Sequence, residues 1–323
     1  MLVTEDLSQL RHTLRQRAIC VLIPTYNNVG TIGRVVADAM TYCDDVIVVD
    51  DGSTDGTTEA LKGISGIRLV SYTHNRGKGY ALKRGFCEAL AKGFAYVITM
   101  DADGQHYASD IPLFLEANKK WPGCLILGAR QLENIQRSKG SKFANSFANF
   151  WFFVETGRRG IDTQTGFRLY PVRKMYGYQL LTARYEAELE LIVFASWHGV
   201  DIHSIPVNVY YPPKEERVSH FRPAADFTRI SILNTVLCVL TVVYALPLYL
   251  LRKLFTFLRT FVVFVLFALL MLVVITPCAW IYMKWGKRSE HKVWRLHTFI
   301  YNIARLMIRK VGIPGVHFTL TSE

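Results

Sequence analysis

Short apolar runs alternate with longer amphipathic stretches along the first two thirds of the chain. The apolar runs are 18–23, 46–49, 67–70, 96–100 and 124–127. Runs of this length, rich in Val, Ile and Leu, predict strands that are buried on both faces of a sheet. The intervening segments, such as 31–42 and 79–91, are expected to be helices. This alternation predicts an α/β fold with an open, mostly parallel sheet and helices on both faces.

The character of the chain changes near residue 225. Beyond it, residues 230–283 are almost continuously apolar and twice reach the roughly 20 residues that span a bilayer. We therefore expect a membrane helical hairpin there; the alternatives are a first segment that lies in the membrane interface and a re-entrant hairpin. The predicted division is a polar N-terminal helix at 1–17, a globular domain at 18–225, membrane segments at 232–251 and 261–283, and a basic cytosolic tail at 284–323.

Charge and cysteine usage narrow the class of protein. The formal net charge is +12, although half of the 323 residues are hydrophobic. Basic residues beside apolar spans favour contact with anionic lipid over nucleic acid, and the sequence contains no zinc-finger spacing or RNA-binding signature. Six scattered cysteines without a CxxC pair predict free thiols in a reducing compartment. The sequence leaves the oligomeric state open.

Polar segments follow four of the predicted strands. They are Pro24–Asn27, Asp50–Asp51, His74–Arg76 and Asp101–Asp103. In open parallel sheets, ligands bind beyond the carboxyl ends of the strands. Because all four segments are expected at that edge, the sequence predicts a single binding site there.

Asp101 and Asp103 are the first candidates for chemistry within this site. Alternate residues of a strand point the same way, so the two carboxylates are expected to converge. Mg²⁺ prefers oxygen ligands, typically one or two carboxylates together with substrate phosphates. An acidic turn that only ends the strand is an equally good interpretation of the local sequence.

The site is expected to bind a nucleotide. The chain has neither GxGxxG after its first strand nor a GxxxxGK[ST] loop, which disfavours dinucleotide and P-loop folds. An acid such as Asp51, after the second strand, suits hydrogen bonding to a ribose or a base. Together with a metal at Asp101 and Asp103, it indicates a nucleoside diphosphate, whose charge Lys78 or Arg130 could neutralise. Alternatively, Lys78 only belongs to a turn.

Five motifs follow one another along the chain: VLIPTYN at 21–27, VVDDGSTDGT at 48–57, NRGKG at 75–79, DADGQH at 101–106 and DTQTGFR at 162–168. In this order they resemble glycosyltransferase family 2 with the GT-A fold, closest to the dolichyl-phosphate-mannose-synthase-like subgroup. The resemblance implies an inverting transfer of sugar from a nucleoside-diphosphate sugar to a polyprenyl phosphate. The absence of the QxxRW motif of processive synthases favours transfer of a single sugar.

The resemblance also implies roles for individual residues. The nucleotide pocket would include Pro24, Tyr26, Asn28 and Asp51. The metal, Mg²⁺ or Mn²⁺, would be held by Asp101, Asp103 and Gln105, with Ala102 between the carboxylates. Substrate phosphates would contact Arg130 and Lys78, while Lys214, Ser219 and His220 would belong to an acceptor-side loop.

The acceptor decides whether the reaction needs a base. A lipid phosphate is already an anion, so it needs no general base, whereas the hydroxyl of a glycolipid or diacylglycerol does. Glu188 is the candidate base, with Asp162 and Glu186 as weaker ones; a solvated acidic helix face is the alternative for these glutamates. A catalytically silent membrane scaffold is the competing function from another class. Since nucleotide sugars are cytosolic, we expect an integral membrane protein with its catalytic domain on the cytoplasmic face.

Overall fold

The structure is a computed structural model, and it describes residues 4–130, 139–159, 162–210, 223–284 and 290–311. The chain divides into two compact units, Met1–Val243 and Tyr244–Glu323. The finer domain boundaries expected from composition stay predictions.

A sheet of seven strands forms the centre of the first unit within the described residues. The strands are β1 (Ile19–Thr25), β2 (Val46–Asp50), β3 (Ile67–Ser71), β4 (Tyr96–Thr99), β5 (Leu125–Arg130), β6 (Arg168–Tyr170) and β7 (Ile202–Val207). Their order across the sheet is β3-β2-β1-β4-β6-β5-β7. Neighbouring strands are parallel except that β6 runs antiparallel to β4 and β5. The predicted mostly parallel α/β sheet is therefore confirmed.

Helices connect these strands and continue to the end of the described chain. They are α1 (Thr4–Gln16), α2 (Ile32–Tyr42), α3 (Thr57–Lys62), α4 (Lys78–Ala91), α5 (Ile111–Lys120), α6 (Lys139–Thr156), α7 (Glu186–Trp197), α8 (Pro223–Leu240), α9 (Leu246–Leu270), α10 (Thr276–Lys284) and α11 (Glu290–Val311). The expected N-terminal helix corresponds to α1.

The central strands are buried because helices cover both faces of the sheet. Every residue of β1 and β2 is buried. Val21 and Ile23 of β1 belong to a core that includes the inner face of α2. Leu22 points the other way, where α4 approaches so closely that a Cβ at Gly85 would meet its side chain. Strand alternation therefore explains why a continuous apolar run suits a central position.

Strand register brings the carboxyl ends of the first strands to one edge of the sheet. Thr25 lies opposite Asp50, and Asp50 lies opposite Ser71. The β4 strand runs parallel to β1 on its other side. The loops that follow β1, β2, β3 and β4 consequently begin at the same edge, which we call the carboxyl edge.

The predicted membrane hairpin is not formed. In place of a turn between residues 251 and 261, α9 continues as a helix through Arg252, Lys253 and Arg259. The intervening residues include neither Gly nor Pro, so no residue there interrupts the helix. By length and composition, the helical stretch Phe227–Lys284 could cross a membrane, and the described residues contain one such stretch.

Each proline of this stretch follows a π-helical segment. Thr241–Ala245 precedes Pro247, and Met271–Ile275 precedes Pro277. A proline ring clashes with the carbonyl four residues earlier, which lies in the π-helical segment in both cases. The wider turns explain why the two prolines leave the chain helical.

Candidate active site

The structure places the DAD segment just beyond β4 rather than on it. The strand ends at Thr99, and Asp101 to Gly104 form a turn in which Gly104 has φ +75°. The convergence of Asp101 and Asp103 therefore comes from this turn. Strand alternation, which predicted their convergence, is the wrong reason. The Thr31 hydroxyl donates to the Ala102 carbonyl at 2.6 Å and ties the turn to the start of α2.

Lys78 links two carboxylates that come from different parts of the fold. Its Nζ lies 2.7 Å from Oδ1 of Asp101 and 2.8 Å from Oε2 of Glu188. Lys78 is the first residue of α4, whereas Glu188 lies in the first turn of α7. The beginnings of two helices and the loop after β4 therefore meet at one ammonium group.

The charges in this cluster stabilise one another. Burial opposes the charge of Lys78, but Asp101 and Glu188 raise the pKa of its ammonium above its ordinary value. Burial likewise disfavours ionised Asp101, but the adjacent Lys78 holds the pKa of that carboxyl well below its usual range. Lys78 and Asp101 are therefore both charged at neutral pH.

Asp103 is in a different environment from Asp101. Its Oδ1 accepts a hydrogen bond from the Gln105 backbone N–H at 3.0 Å. Burial, followed by the negative charge of Asp101, raises the pKa of Asp103. An acid in such a position gains from a nearby cation, because a cation offsets the repulsion from Asp101.

The carboxylates alone do not form a complete metal cage. Within the described residues, no group of three or more Asp, Glu, His or Cys side chains is arranged to hold a metal ion. One oxygen of Asp101 is already paired with Lys78, which leaves Asp103 as the more available carboxylate. Such a donor set fits a hard divalent cation that shares its coordination with substrate phosphates.

Glycines allow the elements of this cluster to approach closely. A Cβ at Gly166 would overlap the Asp101 carboxylate, and one at Gly79 would overlap the Cβ of Ala187 on α7. Gly77, with φ +100°, would place a Cβ 2.5 Å from the Ala183 carbonyl oxygen. The close packing of α4 against α7 and the segment before it thus requires glycine at both 77 and 79.

Arg168 holds several segments of the site together, although it is not among the residues predicted from the sequence. Its fully buried guanidinium donates to the carbonyls of Thr163 and Thr165 at 2.9 and 2.6 Å and to that of Glu188 at 2.8 Å. It also donates to the Tyr170 hydroxyl at 2.9 Å. A charged residue in the apolar run 167–170 was the available signal. Arg168 fixes the first turn of α7 beside β6.

Asp51 organises the loop between β3 and α4. Its Oδ1 accepts from the Arg76 backbone N–H, and its Oδ2 from that of Gly77, both at 2.8 Å. The carboxylate is almost fully buried, and Gly52 packs directly against the backbone of His74. Asp51 therefore follows β2 at the carboxyl edge and orders the loop that presents Lys78.

The remaining predicted nucleotide residues lie at the end of β1. Pro24 is a buried residue of the strand, whereas Tyr26 and Asn28 follow it and are half-buried. The Asn28 side-chain amide donates to the Tyr26 carbonyl at 3.0 Å and to the Thr25 hydroxyl at 3.2 Å. Asn28 therefore helps to shape the turn that follows the strand.

Arg130, the last residue of β5, forms a bidentate ion pair with Asp162. Nε and Nη2 of Arg130 lie 2.7 and 2.9 Å from the two carboxylate oxygens of Asp162. Hydrogen bonds from Arg130 hold the pKa of Asp162 below its ordinary value, although burial opposes this. Two predicted site residues are thus direct partners. Lys214, Ser219 and His220, the predicted acceptor-side residues, lie outside the described residues.

Known proteins resemble the part of the chain that forms the sheet and the candidate site. Residues 20–171 match the family described as glycosyl transferase family 2. An uncharacterised protein of Methanocaldococcus jannaschii is 31% identical over 202 residues, covering 60% of this chain and 82% of the relative. The UDP-N-acetylglucosamine–dolichyl-phosphate N-acetylglucosaminyltransferase of Methanococcus voltae is 27% identical, covering 61% of this chain and 88% of the relative.

A solved structure shows the same fold at lower identity. Glucosyl-3-phosphoglycerate synthase of Mycobacterium tuberculosis, crystallised with Mn²⁺, UDP-glucose and phosphoglyceric acid, superposes with a TM-score of 0.55. The two sequences are 20% identical, and the match covers 73% of this chain and 83% of that one. The sheet described above is therefore that of the GT-A fold.

Proposed function

The chain belongs to glycosyltransferase family 2 and is a glycosyltransferase, and we propose that it moves one sugar from a nucleoside-diphosphate sugar to a polyprenyl phosphate. The observation that carries the proposal is the cluster at the carboxyl edge, where Asp51, Lys78, Asp101 and Asp103 come together. A donor whose diphosphate lies between a nucleoside and a sugar suits the sequence of polar groups along this edge.

The charge balance supports a divalent metal as part of the donor complex. Asp101, Asp103 and Glu188 oppose two cations, Lys78 and Arg168. Adding a diphosphate to such a site requires further positive charge. Asp103 would hold the Mg²⁺ or Mn²⁺, with Asp101 and Gln105 nearby. The bound metal would supply Lewis-acid stabilisation to the leaving diphosphate.

The proposed reaction is an inverting displacement. An oxygen of the acceptor phosphate forms a bond to the anomeric carbon while the bond from that carbon to the diphosphate breaks. The electron pair of the broken bond stays on the leaving nucleoside diphosphate, where Lys78 and Arg130 would stabilise the charge. No proton has to be removed from a phosphate acceptor, so the transfer needs no base.

Two observations support a lipid acceptor. The relative from Methanococcus voltae carries dolichyl phosphate in its name as acceptor. In addition, the stretch Phe227–Lys284 is long and apolar enough to cross a membrane, which suggests membrane association. Because nucleotide sugars are cytosolic, the proposal places the catalytic unit on the cytoplasmic face.

A product assay tests the proposal. Detergent-solubilised full-length protein is incubated with a panel of UDP- and GDP-sugars, Mg²⁺ or Mn²⁺, and either polyprenyl phosphate or diacylglycerol. We expect mass spectrometry to detect a polyprenyl-phosphate monosaccharide with one sugar donor, and no product with the Asp103→Asn variant. Product formed from diacylglycerol and never from polyprenyl phosphate would overturn the proposed acceptor.

A further inference from the structure

The ion pair between Glu188 and Lys78 indicates a role for Glu188 other than that of a base. In the sequence it was a candidate base; in the structure its Oε2 lies 2.8 Å from the Lys78 ammonium. We propose that Glu188 is a positioning residue that holds Lys78 for contact with the donor's diphosphate. The proposal rests on the proposed function, because it assigns a task to a residue of that same site.

The geometry of the ammonium group supports this role. A lysine ammonium has three N–H donors, and Asp101 and Glu188 account for two of them. Among the described residues Lys78 has no further partner, so the third remains for a ligand, and the Lys78 side chain keeps 18% of its surface exposed at the carboxyl edge. Two carboxylates on fixed elements thus aim the ammonium in one direction, which a single partner would not do.

Glu188 is itself held firmly enough to act in this way. Its carboxyl-bearing side chain is 13% exposed, and its backbone carbonyl accepts a hydrogen bond from buried Arg168. The backbone next to Lys78 is constrained as well, because the N–H of Gly77, the preceding residue, donates to the Asp51 carboxylate. Both ends of the Lys78–Glu188 pair are therefore anchored to the sheet through buried polar contacts.

A double-mutant cycle tests whether Glu188 acts through Lys78. The full-length wild type, Lys78→Met, Glu188→Gln and the double variant are titrated with UDP or GDP, whichever binds wild type more tightly, in the presence of Mg²⁺. We expect Lys78→Met to weaken binding about 10- to 100-fold, the range for a charged hydrogen bond. Glu188→Gln should weaken it about 3- to 10-fold in wild type and less than about twofold in the Lys78→Met background.

Glu190→Gln provides the matched control. Glu190 also lies on α7 and is buried, but its carboxylate accepts hydrogen bonds from the backbone N–H and the hydroxyl of Thr182 and is not paired with Lys78. Its substitution should leave nucleotide affinity unchanged. Thermal unfolding of each variant verifies the fold, and if Glu188→Gln unfolds, Glu188→Asp, which keeps the charge and shortens the reach, replaces it in the cycle.

Two results would overturn the inference. One is a Glu188→Gln variant with wild-type nucleotide affinity and a kcat lowered about 100-fold or more, the signature of a general base. The other is full additivity of the two substitutions in the binding cycle. Nucleotide binding requires no acceptor, so a failure of wild type to glycosylate polyprenyl phosphate would refute the proposed function while leaving the cycle informative.

Discussion

Both carboxylate oxygens of Asp162 accept hydrogen bonds from the Arg130 guanidinium, at 2.7 and 2.9 Å. The Arg130 backbone N–H adds a third contact at 3.3 Å. This bidentate arrangement fixes the plane of the guanidinium as well as its position. Asp162 therefore serves Arg130 as an orienting partner, and its expected role as an alternative base loses support.

We predict that Asp162→Asn weakens catalysis by releasing Arg130. The substitution removes the charged partner of a largely buried guanidinium, which should cost roughly 1–3 kcal/mol of stability. Activity should fall with a higher KM for the sugar donor. Arg130→Lys should have a similar effect, because an ammonium cannot reproduce the bidentate pairing. Steady-state kinetics with varied donor would check both variants; unchanged donor KM in both would contradict the role.

Metal dependence should reside mainly in Asp103. Asp101 already has Lys78 as its cationic partner, whereas burial and Asp101 raise the pKa of Asp103. We predict that Asp103→Asn removes nearly all transfer without unfolding the protein, and that a chelator does the same to wild type. Adding Mg²⁺ or Mn²⁺ back should restore the chelated wild type only. Full activity in the presence of chelator would refute a metal requirement.

Asp51 is predicted to control nucleotide affinity rather than acceptor affinity. Asp51→Ala removes the acceptor of the Arg76 and Gly77 N–H groups. Calorimetry with free nucleoside diphosphate should show binding weakened about 10- to 100-fold. Asp55→Ala is the control, since Asp55 binds backbone N–H groups of Val29 and Thr57 and is expected to affect stability alone. Equal affinities for all three proteins would exclude Asp51 from the nucleotide pocket.

Glu155 should make stability depend on pH. Burial raises the pKa of this carboxyl to about 8, and within the described residues neither of its side-chain oxygens has a hydrogen-bond partner. Between the ordinary pKa near 4.5 and about 8, the folded state holds a proton that the unfolded state has lost. Stability should therefore fall as pH rises through that interval, by at most roughly 5 kcal/mol.

The Glu155→Gln variant isolates this effect. It keeps the shape of the protonated acid, so its unfolding temperature should match that of wild type near pH 4.5 and exceed it near pH 8. Thermal unfolding at a series of pH values provides the measurement. Parallel pH profiles for the two proteins would show that Glu155 ionises normally in the fold.

Gly79→Ala should impair the site without altering any charge. The new methyl group would collide with Ala187 and push α4 away from α7. Lys78 and Glu188 would then separate, and nucleotide affinity and transfer should both decrease. Gly33→Ala on α2, where nothing lies within 4 Å of the new Cβ, should be neutral or slightly stabilising. Wild-type kinetics for Gly79→Ala would show that the helix contact does not govern the site.

The pattern of apolar residues in the sequence was sufficient to predict the sheet and the edge at which the candidate site lies. Continuous apolar runs identified β1, β2 and β4, and parallel strands necessarily bring their carboxyl ends to one edge. That reasoning places Asp51, Asp101 and Asp103 at the same edge, where the loops after β2 and β4 begin in the structure. It could not provide the Lys78–Glu188 contact, because the two residues are 110 positions apart and meet only through the packing of α4 on α7.

Two errors have local physical causes. Asp101 and Asp103 were placed on a strand, but Gly104 in the left-handed region builds a turn there. The membrane hairpin is predicted by two apolar stretches of about 20 residues on either side of Arg252 and Lys253, yet both basic residues are compatible with a helix and α9 continues through them. The role of Arg168 could not be predicted, because a single charge within an apolar run does not indicate which carbonyl and hydroxyl groups it binds.

The glycines around Lys78 and Asp101 also bear on any attempt to redesign the enzyme. Gly77, Gly79 and Gly166 have no side chains to trim, and the neighbouring backbone and Asp101 leave no room for larger residues. A combinatorial library that randomises these positions would therefore consist mostly of inactive clones. Altered donor preference would have to be sought in the turn after β1 and the segment before β6, where side chains such as those of Tyr26 and Gln164 still offer volume to exchange.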